Sequence, residues 1–189
     1  AAPDRLGADA WQARSDASVR FMIAMMENTG IDIITDGERR RRSYTDVFAQ
    51  MVGGFVAGEA PRTPTGTRFF TVVEPLHDHR NFIADEARFL KANTGRQTKV
   101  CLPSPFILGQ RMYDPEVSKK AYPTRRDFVR ATVPILRAEL EAVRDAGVDV
   151  AQIDEPHLSG FCDPKARREY DDPDTDLDFL VECINGVVG

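Results

Sequence analysis

Two stretches, residues 30–38 (GIDIITDGE) and 147–155 (GVDVAQIDE), limit most tightly how this chain folds. Each starts with a glycine suited to stopping a helix, continues through β-branched residues suited to a buried strand, and ends in acids. In both, a glutamate stands eight residues after the glycine. A helix stop followed at once by a short strand, twice over, is the grammar of a parallel α/β sheet. In such sheets the carboxyl ends of the strands line the site.

The rest of the chain extends this alternation. Val19, Met22, Ile23 and Met26 fall at i, i+3, i+4 and i+7, one apolar helix face over residues 15–28. Met22, Met25 and Met26 are expected to be packing residues, not thioether ligands. A second helix is expected after Gly37, through YTDVFAQMV to Gly53. Residues 58–66, with Pro61 and Pro64, read as loop, and RFFTVV (68–73) as a strand ended by Pro75. Residues 81–93 read as a helix with Phe82, Ala87 and Leu90 inward, stopped by Gly95, before a KVCL strand. Thr124 and Asp127 have capping-box spacing for a helix reaching Ala146, with a kink or a junction at Pro134. VDVAQI is the next strand. A last helix opens at residue 173, with Asp174, Asp176 and Asp178 near its positive end. These strands are expected to be parallel; alternation alone leaves an open sheet and a barrel equally available.

Composition narrows the function. At 189 residues the chain is large enough for one domain with a real core. A net charge of −5 argues against a nucleic-acid surface, and no apolar run approaches a membrane span. The opening residues lack a charged-then-apolar signal pattern, so the expected location is cytoplasmic. The chain opens AAPDRLGADAWQ without a Met, as an internal segment does. Cys101, Cys162 and Cys183 are odd in number and widely spaced, unlike a disulfide framework or a metal knuckle.

If the strand ends gather, Asp36, Glu38, Asp154 and Glu155 converge on one pocket. Crowded carboxylates need a cation, either a substrate ammonium or a metal ion. The competing reading is strand-end acids that cap helices or pair with nearby arginines.

IITDGExxR, then KVxLPSPF, then AGVDVAQIDEP, taken together and in this order, resemble the catalytic barrel of the cobalamin-independent methionine synthase family and its shorter relatives. The resemblance covers most of the chain. It implies a (β/α)8 TIM-type barrel, of which residues 1–189 hold roughly four core strands, about half of the eight that closure needs. It implies a methyltransferase that moves a methyl group to a thiol, with homocysteine as the leading acceptor. Its ammonium is held by two carboxylates, and the matching residues are Glu38 and Asp154. It also implies a zinc ion that activates the thiol, on a His, two Cys and a Glu expected beyond Gly189, so that no metal ligand is expected within this chain. The three cysteines here do not match those positions. A folate methyl donor is implied as well, although Arg111 stands near where a pterin-stacking tryptophan is expected. Arginine can stack on a flat ring, so another donor or another thiol alkylation stays open. The alternatives are a zinc-dependent transfer in which a thiol such as coenzyme M attacks an epoxide, and a non-catalytic small-molecule-binding relative.

Four arginines, Arg39 to Arg42, are expected at a helix N-terminus, three of them as a solvated face pairing with Asp36, Glu38 and Asp46. Arg41 is the exception, matching the arginine of DGExxR, and is assigned to substrate binding. Ser104, between two prolines, is placed as a donor into the pocket, and His157 at its rim. His77 and His79 form a weak His-x-His pair without a cysteine. The partners expected are small molecules, with self-association along open sheet edges.

Overall fold

The computed structural model describes residues 7–41, 43–57 and 70–189, less the side chain of Glu169. Arg42, the 58–66 loop and the start of the 68–73 strand lie outside the described residues.

Helix α1 (Ala8–Asn28) buries Ser15, Val19 and Ile23, while Met26 packs partly against the core and Met25 is exposed. Gly30, at φ 80°, ends this unit and lets the chain enter β1 (Ile33–Thr35). The second helix is shorter than expected. Residues 37–40 and 44–46 form turns, and α2 covers only Val47–Met51.

Next comes a strand that the glycines concealed. β2 (Gly53–Ala57) pairs antiparallel with β3 (Phe70–His77). Gly54 reads as a stop, but its φ of 107° lets the strand pass beneath β3, where a Cβ would lie 2.8 Å from the Glu74 carbonyl oxygen. β3 also runs through Pro75, which falls where the register is irregular and no ladder N–H is required. Residues 70–77 therefore leave the parallel series and form a separate hairpin.

α3 (Phe82–Asn93) leads to β4 (Gln97–Pro103), and Ser104 caps α4 (Pro105–Met112), with the Ile107 amide donating to its Oγ. Thr124 and Asp127 make both bonds of a capping box at the start of α5 (Arg125–Asp145). This helix is continuous through Pro134, which lies on its exposed side. β5 (Val150–Asp154), 3-10 turns at Pro156–Cys162 and Ala166–Glu169, and α6 (Pro173–Val188) complete the order.

The main sheet has the order β1-β4-β5, all parallel. Among the described residues it is not closed into a barrel. Alternation gives its two faces different fates. Ile34, Val100 and Leu102 are buried under the helices, in a core shared with Val19, Phe48, Leu90, Phe128 and Leu136. Each such side chain contributes about 2 kcal/mol by leaving water. The other face carries Ile33, Lys99, Cys101, Val150 and Gln152, none of them buried.

Candidate functional site

The 35–41 turn is built from the strand outwards. Thr35 Oγ1 accepts from the Gly37 amide at 2.8 Å, and Asp36 Oδ1 accepts from the Glu38 amide at 3.0 Å. Gly37 (φ 63°) and Glu38 (φ 54°) are both left-handed, a conformation that costs a non-glycine residue about 1 kcal/mol. The turn closes when the Arg41 amide donates to the Glu38 carbonyl. The result is that Glu38 stands over the uncovered face of the sheet. Asp36 continues the buried alternation of β1 and is 3% exposed, so it does not join the cavity.

β5 reaches the same place from the other side of β4. Pro103 pairs with Asp154, and the Ser104 amide donates to the Asp154 carbonyl. The Gln152 amide group donates to the Asp154 carboxylate and itself accepts from Lys99, which fixes the acid's orientation. Glu38, Tyr44, Gln152, Ile153, Asp154, Glu155 and Pro156 line a cavity of about 690 Å³. One ligand atom each from Glu38, Cys101 and Asp154 lies within 4.8 Å of the others.

The electrostatics are those of an incompletely neutralised anionic pair. Burial pushes the Glu38 carboxyl above its ordinary value; Arg41 pulls it down, and Asp154 and Asp36 push it further up. Burial, with Asp154 and Glu38 nearby, pushes the Cys101 thiol up to about 11, so it carries its proton at neutral pH. Burial likewise raises the Tyr44 phenol, against the pull of Arg111. Such a site favours a cationic ligand group, because ionising the thiol would add a third negative charge.

The other expected site residues go elsewhere. Ser104 is fully buried and does not line the cavity; its hydroxyl donates to Glu155 Oε2, behind the cavity wall. Glu155 spends its other oxygen on the His157 amide. His157 packs edge-on against Phe106, with its Nε2 buried and without a hydrogen-bond partner among the described residues. Burial pushes its pKa down, and it does not line the cavity.

Arg41 is no surface anion site. Its guanidinium, 2% exposed, binds Glu86, the Cys101 carbonyl and Glu38. Arg39 and Arg40 lie in a turn, not at a helix N-terminus, and turn away from the expected acids. Arg39 donates to Ser18, while Arg40 binds Asp16 and covers the Phe89 ring at 3.7 Å. His77 and His79 also part company, the first beside Asp78 and the second against buried Glu139.

Tyr44, Gln152, Cys101 and Glu86 were not singled out from the sequence. For Cys101 and Gln152 a signal existed, since strict alternation with Asp154 and Lys99 puts them on the same face. Tyr44 depends on an irregular turn, and Glu86 on a contact between distant elements.

No protein-family model matches the chain. It is 27% identical to the methionine synthase of Sulfolobus acidocaldarius over 183 residues, 95% of this chain and 50% of that protein. It is 28% identical to the methionine synthase of Pyrococcus horikoshii over 181 residues, 94% of this chain and 48% of that protein. The B12-independent methionine synthase of a Shewanella species, solved in complex with selenomethionine, superposes with a TM-score of 0.74 at 21% identity. That match covers 97% of this chain and 50% of the other. The chain thus spans about half the length of the curated relatives it matches. Nearly all of this chain is similar in sequence to about half of proteins named methionine synthase, and in fold to about half of a B12-independent one.

Proposed function

We propose that this chain forms the amino-acid-binding part of a (β/α)8-barrel methyltransferase, with homocysteine as the thiol acceptor. The observation that carries this reading is the pairing of Glu38 and Asp154 over one cavity, from strands on either side of β4. An ammonium needs acceptors on more than one side, and two carboxylates within reach of one atom supply them. Related chains named methionine synthase support the choice of an amino-acid thiol over other cations.

In this mechanism Glu38 and Asp154 hold and orient the amine, Gln152 keeps Asp154 aimed, and Tyr44 closes one wall. Arg111 is exposed, with its charge felt at Tyr44 and His157, and is the residue offered to a flat or anionic methyl donor such as folate.

Zinc, when bound in such an enzyme, lowers the acceptor thiol's pKa. The described residues do not provide the His, two Cys and Glu set that the resemblance implies. They offer one group of mixed ligands, Glu38, Cys101 and Asp154, without a histidine and with a protonated thiol. No step is therefore assigned to zinc through these residues, and this reading keeps its ligands elsewhere.

The test is calorimetric titration of the protein with L-homocysteine and with 4-mercaptobutanoate, which lacks only the amine. L-homocysteine is expected to bind at least tenfold more tightly, and Glu38→Gln to erase the difference. Equal binding of the two by the unaltered protein refutes the amine site.

A further inference from the structure

Glu86, on the buried side of α3, is 2% exposed and does not line the cavity described above. One of its oxygens, Oε2, accepts from Arg41 Nε at 2.9 Å and from Nη2 at 2.8 Å. The other, Oε1, is buried without a hydrogen-bond partner among the described residues. Arg41 then spends Nη2 again on the Cys101 carbonyl at 2.8 Å and Nη1 on Glu38 Oε1 at 3.3 Å. Among the described residues Arg41 is the group that Glu86 holds by hydrogen bonds, and the guanidinium's other partners are the site's own strand end and acid.

Glu139 is a buried glutamate whose partners lie away from the cavity. Equally buried on α5, it accepts from the Ala84 amide in the first turn of α3 and from His79, neither of which touches the cavity.

We propose that Glu86 is a positioning residue for the amine site, holding Arg41 away from Glu38 so that the Glu38 carboxylate stays available to a ligand. This rests on the amine-binding reading above. The physical argument concerns where a single cation is spent. With Glu86 charged, Arg41 already has an anionic partner, and its contact with Glu38 is the longest of its three. Without that charge, Arg41 has Glu38 as its nearest anion and closes on it. A carboxylate locked to a guanidinium is a poorer acceptor for an ammonium.

The surroundings agree. The charges that bear on Glu86 are Arg41 and Asp36 from the turn after β1, and Arg40, which Asp16 of α1 already engages. Burial raises the Glu86 carboxyl to about 7, with Arg41 and Arg40 pulling it down and Asp36 pushing it up. Its charge can thus be withdrawn near neutral pH.

The experiment compares L-homocysteine with 4-mercaptobutanoate on the full protein and its variants. Glu86→Gln keeps shape and removes charge. It is expected to weaken L-homocysteine binding about tenfold and to leave 4-mercaptobutanoate unchanged. Glu86→Asp, which restores the charge on a shorter arm, is expected to recover part of that loss. In a Glu38→Gln background, Glu86→Gln is expected to add nothing. Should Glu86→Gln not fold, the Glu86→Asp titration decides alone, since it predicts a selective, smaller loss for the amine. Equal weakening of both ligands, or no change in either, overturns the proposal. If Glu38→Gln discriminates between the ligands and Glu86→Gln does not, only this inference falls. If Glu38→Gln does not discriminate, the amine-binding reading falls with it.

Discussion

Where β1 ends, the chain turns back through Gly37 and Glu38, both at positive φ; where β5 ends, Pro156 sends it forward into a 3-10 turn. The two stretches leading there are close in sequence, yet their last acids are used in opposite ways. After β1, the aspartate (Asp36) is buried and supports the turn, while the glutamate (Glu38) faces the cavity. After β5, the aspartate (Asp154) faces the cavity at the strand's end. Its neighbour Glu155 caps the turn and takes the Ser104 hydroxyl. The lesson is one of parity. A strand shows alternate residues to opposite faces, and Asp36 stands six residues after its glycine where Asp154 stands seven, so the two aspartates meet opposite faces.

The largest test of this comparison is a reciprocal pair of isosteric changes. Asp154→Asn is expected to weaken L-homocysteine binding by about thirty-fold or more while leaving stability nearly unchanged. Glu155→Gln is expected to cost about 1–2 kcal/mol in a urea melt and to leave the amine's affinity within about threefold. The opposite assignment of effects would break the comparison.

A second test uses protons. Burial holds the Glu38 carboxyl above its ordinary value, and its ionised form is the one that accepts from an ammonium. Amine affinity is therefore expected to rise with pH through and beyond the ordinary glutamate range, and 4-mercaptobutanoate is expected not to show that rise. Titrations at pH 5 and pH 7.5 check the sign. Binding that weakens over this interval would place the proton elsewhere.

How far the sequence foretold this can be judged residue by residue. Gly30, Gly147 and the Thr124–Asp127 box are local signals whose meaning does not depend on tertiary context, and each ends or begins a helix as read. Glu38 and Asp154 were legible because strand ends announce themselves. The hairpin was not, because Gly53-Gly54 and Pro75 have the same local meaning in a stop as in a bulged strand, and only pairing decides. Ser104 and His157 stand behind the cavity wall for a shared reason. Both lie beside the cavity in sequence, but Glu155 draws the Ser104 hydroxyl and the His157 amide towards itself. Glu86 carries no sequence signal, since its role depends on a partner 45 positions away.

The smallest expected effect sharpens the contrast between the two strand ends. Glu38 holds a left-handed conformation that glycine adopts freely, and Glu155 does not. Glu38→Gly is expected to stabilise the fold by up to about 1 kcal/mol while abolishing preference for the amine. A thermal melt beside a titration reads both. Loss of stability would mean that the contact with Arg41 outweighs the backbone strain.

The central position of β4 has a consequence for when the site exists. Both of its neighbours come from distant parts of the chain, one far before it and one far after. Neither half of the acid pair can be set in place by a local event, so closing these long loops must come before the cavity forms. The helices and the β2–β3 hairpin can assemble earlier without forming the cavity. Occupancy then reports completed folding, and a ligand that binds there is expected to slow the exchange of β4 amides with solvent deuterium as well as that of the residues it touches.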